Sequence, residues 1–271
     1  MLRNSFVHLR GVGYATERRL WTAGIKTWED FFASREGVRL GPTRMHQLEE
    51  GLSTSLNQLS EGNHRFFRQC LPNREFWRAY EEFKESVAFL DIETTGMEAD
   101  RDEITLIGLF NGSMMRSYLG DDMEEFPHDL ERYKLIVTFN GSSFDLPFLR
   151  RSFPEMRLHQ IHIDLRHVLA RLGLRGGLKA IERKVGIDRS PKTRDVRGWD
   201  AVYLWRRFLK GDDEALEVLL QYNKEDVVNL KELLEMAYDA LRSLCLSHGF
   251  RTYSLKDVRG FPARHGDKPD D

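Results

Sequence analysis

Ala88-Phe89-Leu90-Asp91-Ile92-Glu93-Thr94-Thr95-Gly96 is the stretch on which the reading of the chain turns. Val87 to Ile92 is a short, mostly apolar run of the kind that forms a central strand. Asp91 and Glu93 stand two apart, so strand alternation puts both carboxylates on one face. Burying them unpaired would be costly. They therefore demand a counter-ion, or solvent at the strand end, where Thr94-Thr95-Gly96 turns the chain away. Taken alone, Asp-x-Glu fits a wet strand terminus as well as a metal site.

Outward from this strand, strand and helix signals alternate. Strands are expected at Ile104–Phe110, Met114–Leu119, Leu135–Phe139 and Leu158–Leu165, with a hairpin at Asn111-Gly112 between the first two of these. Helices are expected at Phe126–Tyr133, from Phe144 to Arg151, from the end of the fifth strand to about Leu172, and at about 177–185, 199–209 and 213–243. The last helix carries the apolar stripe Leu216, Leu219, Leu220, Val227, Leu230, Leu234 and Leu241, which must pack on a sheet. This is a mixed α/β layer architecture. Periodicity alone does not give its strand order. The first 75 residues read as helical: a helix from Ala15 to about Ala23 ended by Gly24, a second capped by Thr27, and a third from Gly41-Pro42-Thr43 to about Leu59. Leu71-Pro72-Asn73 breaks the pattern, and 76–85 reads as a short linker helix. The expected organisation is a small all-α domain over 1–75, the linker 76–85, the α/β domain over 86–245, and a flexible tail over 246–271.

Two further segments carry acids. Asp145 follows the turn Asn140-Gly141-Ser142-Ser143 near the start of a helix, where a carboxylate is favoured by the helix N-terminus. Asn140 is expected to hold the turn with its side chain. Tyr222 and Asp226 are four apart on one face of the long helix, beside its apolar stripe. Each acid has a bland reading when taken singly: a first-turn acid, a solvated surface acid. Together, four carboxylates from three segments cannot all stay ionised in one place without a cation. Oxygen ligands suit Mg²⁺ or Mn²⁺. In-line phosphodiester hydrolysis uses two such ions about 3.5–4 Å apart, and a nearby hydroxyl can orient the attacking water. Asp164 ends the fifth strand and is expected to cap a helix rather than join the site. The nine histidines show no zinc-ligand spacing.

These motifs resemble those of the DEDD exonucleases of the ribonuclease H-like, or DnaQ-like, superfamily. Asp91 and Glu93 match the first motif, Phe144 and Asp145 the second, and Tyr222 with Asp226 the third in its tyrosine form. The histidine form would need His at 221, which is Gln221. The chain is thus similar to the DEDDy subgroup over about 86–245, and to bacterial YprB-type predicted exonucleases in Phe-Asn-Gly-Ser-Ser-Phe-Asp-Leu-Pro-Phe-Leu and Tyr-Asn-Lys-Glu-Asp-Val-Val-Asn-Leu. The resemblance implies a five-stranded sheet of order 3-2-1-4-5, metals on Asp91, Glu93, Asp145 and Asp226, Tyr222 at the nucleophilic water, and 3′–5′ exonuclease activity on DNA or RNA. A structure-specific endonuclease on the same site, or a catalytically silent nucleic-acid-binding module, are the alternatives.

Charge distribution agrees with a polyanionic partner. The 271 residues carry a net charge of −2, yet residues 150–210 hold 16 Lys/Arg against 6 Asp/Glu, and residues 1–74 hold 11 against 7. A locally basic surface on a globally acidic protein steers a phosphate backbone without sticking everywhere. Gly11-Val12-Gly13 with the Trp21…Gly24-Ile25 spacing resembles a helix-hairpin-helix. In that motif backbone N–H groups of Gly11 and Gly13 would meet a phosphate, with Arg18 and Lys26 adding charge. Lys179, opening a helix after Gly176-Gly177, is a candidate for a substrate phosphate. No apolar run approaches the roughly 20 residues of a membrane span, and the N-terminus has no signal-peptide core. Cys70 and Cys245 are expected to be reduced thiols of a cytoplasmic protein.

Overall fold

The computed structural model describes residues 1–34 and 41–248. A 3₁₀ turn at Leu2–Asn4 leads to α1 (Tyr14–Thr22) and α2 (Trp28–Ala33). Thr27 caps α2 as expected: its hydroxyl accepts from the Asp30 N–H at 3.0 Å, and the Asp30 carboxylate returns a bond to the Thr27 N–H at 2.9 Å. Helix α3 (Pro42–Ser60) begins on its proline, whose missing N–H costs nothing there. A short helix not anticipated from sequence, α4 (His64–Cys70), follows, capped by the Asn63 side chain. A 3₁₀ segment (Asn73–Ala79) runs into α5 (Tyr80–Phe83) and a further 3₁₀ turn (Lys84–Ser86).

The α/β part contains β1 (Val87–Thr94), β2 (Ile104–Phe110), β3 (Met115–Tyr118), α6 (Phe126–Glu131), β4 (Leu135–Thr138), α7 (Asp145–Ser152), β5 (Ile161–Asp164), α8 (Leu165–Ala170), α9 (Leu178–Val185), α10 (Gly198–Phe208) and α11 (Asp213–His248). The strands form one sheet in the order β3-β2-β1-β4-β5. Strands β1, β2 and β3 pair antiparallel, while β4 and β5 pair parallel on the other side of β1. This is the order that the resemblance implied. Strand β5 is shorter than expected because β4 offers only Leu135 to Thr138 for pairing.

The two faces of β1 divide the core. Ala88, Leu90 and Ile92 pack with Leu130 of α6 and with Leu146, Phe148 and Leu149 of α7. Val87 and Phe89 point the other way, into a core shared with α8, α9, α11 and the N-terminal helices. The expected stripe of α11 is buried at Leu219, Val227, Leu230, Leu234 and Leu241. Leu216 and Leu220 are only half-buried, because the face turned inward at that end is Ala215, Leu219 and Tyr222.

Residues 76–83 are not strung out between two units. Phe76, Trp77, Ala79, Tyr80 and Phe83 are buried in the shared core. Arg78 is wholly buried, with Nη1 2.8 Å from Glu17 and Nε 2.7 Å from Glu75. The N-terminal ammonium donates to the Tyr238 hydroxyl of α11. Cys70 and Cys245 are free thiols. Most of the expected tail lies outside the described residues, which end inside α11 at 248. No described helix is long and apolar enough to cross a membrane.

Candidate active site

Strand alternation places Asp91 and Glu93 on the sheet face that α11 crosses. Opposite Asp91 on β2 stands Gly108. A Cβ there would overlap Asn223 Oδ1 and come within 2.8 Å of Val227 Cγ2. The missing side chain thus lets α11 lie close on the sheet. From α11, Asn223 Nδ2 donates to Asp91 Oδ2 at 3.0 Å. Asp226, three residues on, projects from the same face. Oxygens of Asp91, Glu93 and Asp226 lie within 4.8 Å of one another.

Asp145 is the first residue of α7, and the turn before it is built to place it. Asn140 has a φ of +68°, a left-handed conformation that asparagine tolerates. Gly141 sits so close to Thr138 that an added Cβ would overlap the Thr138 hydroxyl and lie 2.6 Å from its Cβ. Asp164 holds this turn from β5: its carboxylate accepts from the N–H groups of Asn140 at 2.9 Å and Ser142 at 3.1 Å. It also caps α8 through the Arg166 N–H at 3.1 Å. Asp164 is therefore the expected N-cap. The turn is held by this carboxylate and not, as expected, by the Asn140 side chain, which accepts from Arg166 Nη1 at 2.5 Å.

Asp91, Glu93, Asp145, Tyr222 and Asp226 all line one cleft of about 570 Å³, so the structure gathers the five residues that the sequence singled out. Burial pushes all four acids above their ordinary pKa values. At Asp91 the charges of Asp226, Asp145 and Glu93 push further, and at Glu93 those of Asp226 and Asp145. Asp145 is raised to about 7. At Asp226 burial is opposed by Arg189. Glu93 Oε1 and Asp145 Oδ1 are buried without a hydrogen-bond partner. Carboxylate oxygens are the donors a hard divalent cation takes, and those of Asp91, Glu93 and Asp226 lie close enough together to hold one.

Tyr222 lies against the acids with two cations near its ring. Lys179 Nζ is 4.4 Å from the ring centroid and the Arg189 guanidinium carbon 5.7 Å. Burial, then the charges of Asp226, Glu93 and Asp91, raise the phenol above its ordinary range, so it stays protonated. Lys179, a candidate for a substrate phosphate, directs its ammonium to the carbonyls of Thr193 (3.0 Å) and Val196. Burial lowers its pKa, with Arg189 adding to the effect.

Sequence reasoning missed Arg189, Asn223 and Gly108. Arg189 pairs with Asp226 and makes two 2.7 Å bonds to the buried Glu182. Asn229 Nδ2 adds a 2.9 Å bond to the same carboxylate. Asn223 was legible in principle, since it stands three before Asp226 on a helix.

The candidate phosphate contacts of the N-terminal region do not line this cleft. Gly11 has φ +77° and Gly13 is the N-cap of α1. Both glycines, Arg18 and Lys26 are exposed. The helical turn before this hairpin is the three-residue 3₁₀ segment Leu2–Asn4.

Comparison with known proteins adds one match over most of the α/β part. Residues 88–238, more than half of the chain, match the model of the RNase_H superfamily. No curated protein matches the chain. Among solved structures, the family B DNA polymerase from the hyperthermophilic archaeon Pyrobaculum calidifontis is similar at 16% identity and a TM-score of 0.48. That likeness covers 60% of this chain and 26% of the polymerase chain.

Proposed function

From the premise that the chain belongs to the RNase H superfamily, we propose that it is a divalent-metal-dependent nuclease: a 3′–5′ exonuclease of the DEDDy type acting on DNA or RNA. One observation supports this most. Four carboxylates, three buried and Asp91 half-buried, line one cleft with two of their oxygens unpartnered, an arrangement that needs cations. Asp91, Glu93, Asp145 and Asp226 would hold two Mg²⁺ or Mn²⁺ ions. When bound, such ions lower the pKa of water and stabilise the leaving oxygen of an in-line displacement.

The chain's own residues do the rest. Asn223 fixes the Asp91 carboxylate through its 3.0 Å bond. Asp164 holds the turn that aims Asp145. Tyr222, kept as a neutral phenol, orients the attacking water by hydrogen bonding. Lys179 and Arg189 lie against the Tyr222 ring and help to hold it, and Arg189 offsets part of the charge at Asp226. The exposed Gly11–Gly13 hairpin, with Arg18 and Lys26, holds the polymer backbone away from the cleft.

The test is cleavage by purified protein of DNA and RNA strands labelled at the 5′ or the 3′ end, with Mn²⁺ or Mg²⁺. The reading expects a 5′-labelled strand to shorten stepwise and a 3′-labelled strand to release its label at once. Internal cuts on a circular strand would replace the exonuclease with an endonuclease. Binding without any cleavage would make the chain a silent binding module.

A further inference from the structure

A second cavity lies outside the acidic cleft. It has about 710 Å³ and sits along edge strand β5, walled by α4, the 3₁₀ segment, α7 and α8. Its wall carries Arg68, Arg74, Arg150 and Arg171, with His167 beside them, against a single carboxylate, Asp164. That carboxylate is already engaged by three backbone N–H groups. Arg74 and Arg171 share the buried Glu75 with Arg78, so one carboxylate serves three guanidiniums. Arg68 and Arg150 are exposed and have no ion pair or hydrogen bond within the described residues. The cavity is therefore left with an excess of positive charge.

Its position links it to the cleft. Asn140 lines the acidic cleft while Ser142, two residues on, lines the basic cavity. On α8, Arg166 lines the cleft and His167 the cavity. The turn 140–143 and the first turn of α8 form a shared wall between the two.

We propose that this basic cavity is a second nucleic-acid site, which holds the phosphodiester backbone of the strand whose end lies in the acidic cleft. The identity of the ligand rests on the nuclease reading above. A charge-lined cavity draws in a polyanion, and each guanidinium that meets a phosphate releases a counter-ion. Arg68 and Arg150, being free of protein partners, make the contacts, while Arg74 and Arg171 supply the field.

The experiment is fluorescence anisotropy of labelled single strands of about 4 and about 16 nucleotides, in EDTA to prevent cleavage, over a range of salt concentration. Wild type is compared with Arg68→Glu/Arg150→Glu and with the milder Arg68→Gln/Arg150→Gln, each checked by thermal melting. The expected result is a loss of about tenfold or more for the long strand and a salt slope shallower by about 2. The short strand, which reaches only the cleft, keeps its affinity. Unchanged long-strand affinity and slope in both variants would overturn the proposal. If wild type cuts nothing yet the variants lose long-strand binding, the cavity stands and the nuclease reading falls. If cleavage is present and long-strand binding ignores both substitutions, the cavity falls and the nuclease reading stands.

Discussion

Asp91 is half-buried, faces three other carboxylates, and among the described residues takes a side-chain hydrogen bond from Asn223. Replacing it, or Asp226, with asparagine removes a proposed metal ligand while keeping the shape. Either change is expected to lower cleavage at least about 10³-fold, with the melting temperature held or raised. Full activity in either variant would remove that residue from the site. Tyr222→Phe is expected to slow turnover by about 10²-fold with strand affinity unchanged, read from single-turnover kinetics. The raised acids also make stability depend on pH. A carboxyl whose pKa is higher in the fold binds its proton more tightly when folded. Its contribution is then present at low pH and lost as pH rises through the folded value. For Asp145 that window runs from about 4, the ordinary carboxylate value, to about 7. The melting temperature in EDTA should therefore fall from pH 5 to pH 8, and fall less in Asp145→Asn; equal slopes would contradict the raised pKa.

Helix α11 is the element that completes the site, and it reaches β1 only because β2 carries Gly108 opposite Asp91. Gly108→Ala is expected to push Asn223 and Val227 outward, cost about 1–3 kcal/mol, and lower the rate through the displaced Asp226. Chemical denaturation and kinetics together check this; a wild-type rate would show that α11 does not depend on the close approach. At this scale the sequence was most readable where periodicity is strong. Alternation gave the shared face of Asp91 and Glu93, and the 3.6-residue period gave α11 and a shared face for Tyr222 and Asp226 beside its apolar stripe. It was least readable where an element owes its length to a partner, as β5 does to β4. Helix α4 went unseen because seven residues are too few for a clear period. Arg189 was also hidden: it lies between helices, in a segment with no period, and only tertiary packing brings it to Asp226 and Glu182.

Across the whole molecule, the N-terminal helices and the RNase H-like region share one core. Arg78 sits at this joint, between Glu17 and Glu75. Arg78→Met would strip the buried Glu17 of its guanidinium, while Glu75 keeps Arg74 and Arg171, and is expected to cost about 3–5 kcal/mol. Because the core is continuous, wild type should unfold in one transition by both near- and far-ultraviolet circular dichroism. Two separated transitions would contradict a shared core.

The central claim is that the buried carboxylates are a cation site, and calorimetric titration of Mn²⁺ into the ion-free protein at pH 7 tests it most directly. In the ion-free site Asp91 and Glu93 have pKa values well above the ordinary range and Asp145 is at about 7, so binding must expel protons. The account predicts saturable binding whose heat varies with the ionisation enthalpy of the buffer, and its loss in Asp91→Asn/Asp226→Asn. Equal binding by that variant, or no saturable binding by wild type at millimolar Mn²⁺, would contradict it.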